Sequence, residues 1–130
     1  MLSEKDTIVA CSSPPGRGAI SVIRLSGDKA FSIIKKITKN KLKKQISVVK
    51  FPLNADLIEK CVLTIFKAPN SYTGEDIVEI STHGNPYIVE EVIKKCLGSG
   101  AKIAKPGEFT LRAFLNLSLI HISEPTRPFH

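Results

Sequence analysis

Two patterns of apolar residues divide the 130-residue chain into predicted strands and helices. Short apolar runs that are rich in β-branched residues and bounded by turn residues predict β-strands. We predict strands at residues 7–11, 19–25, 46–51, 60–66, 76–82 and 101–104. Apolar residues that recur every three to four positions predict helices at residues 30–37 and 86–97, and a third helix that begins near residue 108.

The order of these elements predicts one α+β domain. Strands and helices do not alternate strictly, which indicates a mixed, largely antiparallel sheet with about three helices packed on it. Residues 14–18, rich in Pro and Gly, predict a rigid turn between the first two strands. The segment that contains Pro52, Asn54 and Asp56 suits a hairpin connection between the third and fourth strands.

The composition is that of a globular domain. With 42% hydrophobic and 24% charged residues, the chain is unlike a disordered or collagen-like protein. No run approaches the roughly 20 apolar residues that span a bilayer, and the N-terminus lacks a signal-peptide pattern. Cys11, Cys61 and Cys96 form no C-x-x-C pair and have no His at metal spacing. We therefore expect no disulfide framework, no metal site, no membrane partner and a reducing, cytoplasmic compartment.

The net charge of +7 comes from one part of the chain. Removing six lysines that lie within ten acid-free residues leaves a charge of +1; they are Lys35, Lys36, Lys39, Lys41, Lys43 and Lys44. Such a run is usually the solvated end of a helix and its loop. A basic RNA-binding module is the alternative that the run supports, although the eight aromatic residues include no Trp for base stacking.

The sequence contains no pattern of a nucleotide-hydrolysing site. No segment matches the phosphate-binding loop G-x-x-x-x-G-K-[ST]. The segment at residues 40–43 differs from the guanine-reading Asn-Lys-x-Asp because Lys43 stands where an acceptor is required.

Two charged strand residues are the best candidates for ligand chemistry. Arg24 follows the apolar run 19–23, where we expect it to be partly buried and to need an anion. Glu79 lies between Val78 and Ile80, so its side chain points to the opposite face of the strand. A structural salt bridge and an exposed sheet face are the simpler interpretations. The functional alternative is ligand binding, because a carboxylate accepts the two parallel hydrogen bonds that a pterin donates from its amide N–H and exocyclic amine.

Other polar residues are interpreted as residues that order loops. Thr73 belongs to a Thr-Gly-Glu-Asp segment with turn and cap chemistry. His83 precedes a predicted helix and has no partner at metal-ligand spacing. The spacing of Glu108 and Arg112 on the last helix allows them to pair. The complete set of loop-ordering candidates is Arg17, Asn70, Thr73, His83, Glu108 and Arg112, and no residue is assigned a catalytic role.

Six sequence blocks follow one another in a highly specific order. They are Asp6-Thr7-Ile8-Val9-Ala10, Pro14-Pro15-Gly16-Arg17-Gly18-Ala19-Ile20, Ile23-Arg24-Leu25-Ser26-Gly27, Ala68-Pro69-Asn70-Ser71-Tyr72-Thr73-Gly74-Glu75-Asp76, His83-Gly84, and Lys105-Pro106-Gly107-Glu108-Phe109-Thr110 with Arg112-Ala113-Phe114-Leu115-Asn116. Together they resemble the N-terminal domain of the MnmE family of tRNA-modification GTPases, also called TrmE. The resemblance covers residues 1 to about 117.

The resemblance implies a fold, a cofactor and partners. It implies the folate-binding fold of aminomethyltransferases, a bound 5,10-methylene- or 5-formyl-tetrahydrofolate, and a homodimer. It implies a parent GTPase whose GTP, Mg and K sites belong to a G domain outside this chain. With an MnmG-type FAD protein, that parent installs an aminomethyl or carboxymethylaminomethyl group on C5 of the wobble uridine of tRNA. Position by position, the family's folate contacts fall on Arg24 and Glu79.

The end of the chain departs from the family. Where the family continues with Gly or Asp and then Lys, this chain has Leu117 and Ser118, so a third folate contact is missing. We interpret residues 1–117 as the domain and residues 118–130 as a non-family tail that arose from sequencing adapter or a frameshift. We expect the chain alone to be inactive and to bind folate weakly at best. A folate-binding domain of an aminomethyltransferase-like protein and a purely structural dimer domain remain as alternatives.

Overall fold

A computed structural model describes residues 6–14 and 18–123 of the chain. Within these residues the elements are β1 (Ile8–Cys11), β2 (Ile20–Ser26), α1 (Ala30–Thr38), β3 (Ile46–Asn54), β4 (Leu57–Phe66), β5 (Ile77–His83), α2 (Pro86–Gly98), β6 (Lys102–Ile103) and α3 (Glu108–Ser123). Each predicted strand and helix is present, and the predicted α+β class is confirmed.

The strands form one mixed sheet in the order β3-β4-β5-β2-β1-β6. Neighbouring strands are antiparallel except for β1 and β6, which are parallel. The predicted mixed, largely antiparallel sheet is therefore confirmed. The β2–β5 pairing joins the strands at the start of the chain to β3 and β4, and it sets Arg24 opposite Glu79.

Helices α1 and α2 cover one face of the sheet and bury the core there. Ala30, Ile33 and Ile34 of α1 and Val92 and Cys96 of α2 are buried. They pack against alternate strand residues, because successive strand side chains point to opposite faces. Those strand residues are Val9, Ile23, Leu25, Val49, Phe51, Leu53, Cys61, Leu63, Ile65, Val78 and Ile80.

The other side of the sheet, here called the open face, is left uncovered by α1 and α2. Ile20, Ile46, Val48 and Ile58 lie on it according to the strand alternation, and each is between 61% and 64% exposed. Arg24 shares this face. The open face therefore carries exposed apolar side chains as well as the charged side chain of Arg24.

The structure corrects two details of the sequence prediction. Pro52 and Asn54 belong to β3, so the β3–β4 connection is only the two residues Ala55 and Asp56. The Asn54 side chain accepts the Asp56 backbone N–H at 2.9 Å, which closes this turn without a longer loop. Leu97 is the last of the apolar residues whose spacing predicts the helix at 86–97, which would place it on the buried face, but it is 38% exposed in the last turn of α2.

The three cysteines are free thiols, and two of them are in the core. Burial raises the pKa of the Cys96 thiol to about 12. Burial also raises the pKa of the Cys61 thiol to about 12, with a smaller contribution from the nearby charge of Glu59. Both core thiols therefore remain protonated at neutral pH.

Candidate functional site

The centre of the open face carries an ion pair between Arg24 and Glu79. Arg24 donates from Nε to Glu79 Oε2 at 3.0 Å, and its Nη2 lies 2.9 Å from the same oxygen. The two side chains are 20% and 25% exposed, so the pair is sheltered but can be reached from solvent. The salt bridge expected for Arg24 is thus present, and its partner is the other residue that the sequence singled out.

The ion pair uses only part of the hydrogen-bonding capacity of its two side chains. Among the described residues, neither Glu79 Oε1 nor Arg24 Nη1 has a hydrogen-bond partner. A carboxylate oxygen accepts and a guanidinium nitrogen donates. The pair therefore presents one carboxylate oxygen that can accept and one guanidinium nitrogen, Nη1, that can donate, both with charge and on the open face.

Two aromatic rings hold the Arg24 guanidinium between them. Its central carbon lies 5.1 Å from the centre of the Tyr72 ring and 5.2 Å from the centre of the Phe109 ring. Both distances are within the range of cation–π attraction. The Tyr72 hydroxyl lies 3.0 Å from the Thr110 hydroxyl, which links the loop before β5 to α3. Arg24 is therefore fixed by one carboxylate and by two rings from different segments.

Glu75 joins the loop before β5 to the start of α3. Arg112 donates from Nη1 to both oxygens of the Glu75 carboxylate, at 3.0 and 3.2 Å. Its Nη2 donates to Glu108 at 3.2 Å, so the expected Glu108–Arg112 contact is present as well. The Ser26 hydroxyl on β2 donates to Glu75 at 2.7 Å. These contacts place α3 beside the ion pair on the open face.

Thr73 and Gly74 form the tightest part of this junction. Thr73 is fully buried, and its hydroxyl lies 2.7 Å from that of Ser26 and accepts the Glu75 backbone N–H at 3.2 Å. The Asn116 side chain donates to the Thr73 carbonyl oxygen. Gly74 has a φ of +81°, and a Cβ added there would lie 2.9 Å from Asn116 Nδ2. A glycine is therefore required by both the backbone conformation and the space.

His83, at the end of β5, contacts the buried glutamate Glu59 of β4. Its Nδ1 lies 2.6 Å from Glu59 Oε2, and its backbone N–H donates to the same oxygen at 3.2 Å. The adjacent Gly84 approaches the chain closely, because an added Cβ would lie 2.0 Å from the Gly18 carbonyl oxygen. The His83-Gly84 pair thus connects β5 with β4 and with the segment that leads into β2.

The remaining two loop-ordering candidates are Asn70 and Arg17. Asn70 donates its backbone N–H to the Lys67 carbonyl oxygen at 2.8 Å, as a residue in a tight turn does. Arg17 lies outside the described residues. The structure gathers Thr73, Glu108 and Arg112 at one junction, whereas His83 lies at the opposite end of β5.

Sequence reasoning missed four residues of this region: Tyr72, Phe109, Glu75 and Glu59. Tyr72, Glu75 and Phe109 stand inside the sequence blocks that carry the resemblance, so those blocks were the available signal. The spacing of apolar residues gives no information about a residue in a loop. Glu75 and Arg112 are 37 positions apart, so no local pattern predicts that they pair. Glu59 lies just before the predicted strand 60–66, so strand alternation was not applied to it.

The described residues offer little chemistry outside this region. They contain no group of three or more His, Cys, Asp or Glu side chains that could hold a metal ion. None of the helices described is long and apolar enough to cross a membrane. A groove of about 480 Å³ between α2 and the ends of β1 and β2 is lined by Cys11, Ser21 and Val89 among others, but it lies on the helix-covered side of the sheet.

A family model and curated relatives both match most of the chain. The family model described as "GTP-binding protein TrmE N-terminus" matches residues 7–117. The tRNA modification GTPase MnmE of Francisella tularensis subsp. holarctica (strain OSU18) is 51% identical over 116 residues, which are 88% of this chain and 26% of that protein. The protein of the same name from Francisella philomiragia subsp. philomiragia is 48% identical over the same shares. The chain thus spans about a quarter of the length of these curated relatives.

Proposed function

Because this chain belongs to the TrmE (MnmE) N-terminal family, we propose that it is the folate-binding, dimer-forming module of a GTPase that modifies the wobble uridine of tRNA. In this proposal the parent protein works in the cytoplasm with an MnmG-type FAD protein and acts on C5 of the uridine. Its GTP, Mg and K sites belong to a G domain, since these 130 residues contain no phosphate-binding loop. The names of the relatives, tRNA modification GTPase, support the tRNA part of the proposal.

The observation that supports folate binding is the Arg24–Glu79 pair, in which Glu79 Oε1 and Arg24 Nη1 have no partner among the described residues. The edge of a pterin offers an N–H and an amine as donors beside a carbonyl acceptor. Glu79 can accept from the donors, while Arg24 can donate to the carbonyl or to a carboxylate. The residues present therefore fit a reduced folate, which when bound would supply the one-carbon unit.

The surroundings of the pair support the same assignment. Tyr72 and Phe109 restrict the Arg24 guanidinium, so binding need not order a long, flexible side chain. Ser118 stands where the resemblance places a lysine contact. We therefore expect the chain as it stands to bind weakly and a restored lysine to strengthen binding.

The folate assignment is tested by calorimetric titration with 5-formyltetrahydrofolate. The unchanged chain is compared with the double substitution Leu117→Asp and Ser118→Lys, which we expect to bind more tightly. In that background Glu79→Gln should weaken binding by about 10- to 100-fold, because a charge-assisted acceptor is lost. Glu90→Gln, an exposed glutamate on α2, is the matched control and should leave the affinity unchanged.

Two outcomes would contradict the folate assignment. One is equal affinity of the Glu79→Gln protein and its parent. The other is an equal loss in the Glu90→Gln control, which would indicate a general effect of charge. Circular dichroism of each protein separates loss of binding from loss of folding.

Dimer formation is supported by the apolar residues of the open face. Contiguous exposed apolar patches of more than a few hundred Å² are rare on monomeric proteins and mark interaction sites. Ile46 and Val48 lie on the edge strand β3, and Ile58 lies on its neighbour β4. A second copy of the chain would cover these side chains, which α1 and α2 leave uncovered.

A further inference from the structure

The strongest charge feature of the molecule lies away from the ion pair. The lysine segment, residues 35–44, covers the end of α1 and the loop that follows it. Its six lysines are all exposed: Lys35, Lys36, Lys39, Lys41, Lys43 and Lys44. No acidic residue occurs anywhere between residues 29 and 55. The segment therefore presents positive charge without acidic neighbours in sequence.

The loop part of the lysine segment has a defined conformation. The Asn40 side chain accepts the Leu42 backbone N–H at 2.7 Å, and the Thr38 hydroxyl accepts the Asn40 backbone N–H at 3.2 Å. Lys39 and Leu42 both have positive φ angles, 61° and 54°, which are uncommon for residues with side chains. Leu42 is only 8% exposed and packs into the core. The buried leucine anchors the loop and leaves its lysines in solvent.

The charge of the lysine segment is not neutralised within the described residues. Their five ion pairs involve Arg24, His83, Lys94 and Arg112, and none includes a lysine of this segment. Like charges so close together repel one another, and the repulsion falls when an anion binds. A fixed cluster of unpaired lysines is thus a surface suited to a polyanion.

The residues between the lysines indicate which kind of polyanion the segment can bind. Every apolar residue from 30 to 44 packs on the core, so none is left to enter a lipid surface. The only aromatic residue in this stretch, Phe31, packs there as well, which leaves no ring on which a base could stack. A polyanion bound here would be contacted through its charge alone.

We propose that the lysine segment binds the phosphate backbone of RNA without reading its sequence. RNA is favoured over a membrane because the apolar residues of the lysine segment, Ile37 and Leu42, pack on the core, and because the relatives are named for tRNA modification. The site lies on the helix-covered side of the sheet, whereas Arg24 and Glu79 lie on the open face. The proposal therefore goes beyond folate binding and can fail or succeed independently of it.

The test measures binding of an unmodified tRNA transcript to the 130-residue protein between 50 and 200 mM KCl. With six phosphate contacts, affinity should fall about 1,000-fold over this range, because bound cations displace counterions from the RNA. The triple substitution Lys41→Gln, Lys43→Gln and Lys44→Gln should bind tRNA more weakly at 50 mM KCl. Its affinity should fall only about 40-fold between 50 and 200 mM, because three contacts remain. It leaves Asn40 and Leu42 in place.

A matched control removes the same charge elsewhere. Lys60→Gln, Lys102→Gln and Lys105→Gln replace exposed lysines outside the segment and should retain the salt dependence of the unchanged protein. Replacing Lys41, Lys43 and Lys44 by Arg should also retain it, because the charge is kept. The Arg variant keeps the test decisive if the Lys41→Gln, Lys43→Gln and Lys44→Gln protein is poorly folded, because a loss of binding in the Arg variant would also contradict the proposal.

Three results would overturn the proposal. They are an equal effect of the two Gln triples, a tRNA affinity that does not change with salt, and binding to phosphatidylserine vesicles that depends on the lysine segment while tRNA binding does not. The last of these would assign the segment to a membrane instead. Folate binding by the same proteins is measured in parallel and should be unaffected by each lysine variant.

Discussion

Arg24 shows at the scale of single residues what the sequence could and could not reveal. A cation inside an apolar strand predicts an anionic partner, because an unpaired charge at a partly buried position is unfavourable. Strand alternation also predicts that Glu79 points away from the core. The pairing of these two residues depends on the β2–β5 register, which no local pattern specifies across 55 positions. The rings of Tyr72 and Phe109 come from a loop and from the start of a helix, where periodicity carries no information.

A pH dependence of stability follows from the core cysteines. The folded-state pKa of Cys61 and of Cys96 is raised to about 12, from a reference value of 9.0. Above pH 9 the unfolded chain loses these protons while the folded chain keeps them, so the free energy of unfolding falls as pH rises from about 9 towards 12. We expect a loss of about 2 kcal/mol per cysteine at pH 10.5.

Urea unfolding at pH 8 and pH 10.5 measures this effect. The double substitution Cys61→Ala and Cys96→Ala should lower stability at pH 8 because it leaves cavities, yet reduce the further decline at pH 10.5. An identical decline in both proteins would show that groups other than these two cysteines cause the pH dependence.

At the scale of elements, the strands and helices were predictable and their contacts were not. The periodic patterns placed α1, α2 and the longer strands to within a few residues, since apolar spacing reports directly on burial. The turn chemistry of Thr73 and Gly74 was also visible. That this turn receives the side chain of Asn116 from α3 was not visible, because docking of a helix on a loop depends on the path of the whole chain.

Gly74→Ala tests the junction between this loop and α3. The methyl group would collide with Asn116, and alanine is strained at a φ of +81°. We expect the free energy of unfolding to fall by about 1–3 kcal/mol. Gly98→Ala is the control, because nothing lies within 4 Å of an added Cβ at that helical position. It should be neutral or stabilising by up to about 1 kcal/mol.

Chemical denaturation of both glycine variants gives the comparison, and hydrogen exchange locates the effect. In Gly74→Ala, the amides at the start of α3 should exchange faster than those of α1. Similar losses of stability in the two variants would contradict the proposed role of the junction.

At the scale of the whole molecule, the sequence predicted the fold class but not the arrangement that gives the sheet two different faces. Both α1 and α2 pack on the same side, whereas Phe109 of α3 contacts Arg24 on the other side. Amphipathic patterns show that a helix covers something, but they do not say which face of the sheet it covers. The exposed Ile46 and Val48 therefore became informative only once the strand order was known.

The proposed dimer makes a prediction at this scale. Val48→Glu places a charge beside Ile46 on the exposed face of β3, and we expect it to shift the protein to a monomer in sedimentation analysis. Leu97→Glu introduces the same charge at an exposed apolar position on α2 and should leave the dimer intact. The measurement is made with and without 5-formyltetrahydrofolate. A monomer in both conditions for the unchanged chain, or equal dissociation by the two variants, would contradict dimer formation through the open face.

The position of β2 between β1 and β5 has a consequence for synthesis on the ribosome. β1 and β2 can pair as soon as residue 26 has emerged, but the other edge of β2 waits for β5, which begins at Ile77. The intervening stretch of about 50 residues takes roughly 3–10 s to translate at typical rates. During this interval the nascent chain exposes an unpaired strand that carries Ile23 and Leu25, and unpaired apolar strands are prone to aggregate. The nascent chain thus passes through a period in which β2 is open to chaperones or to neighbouring nascent chains.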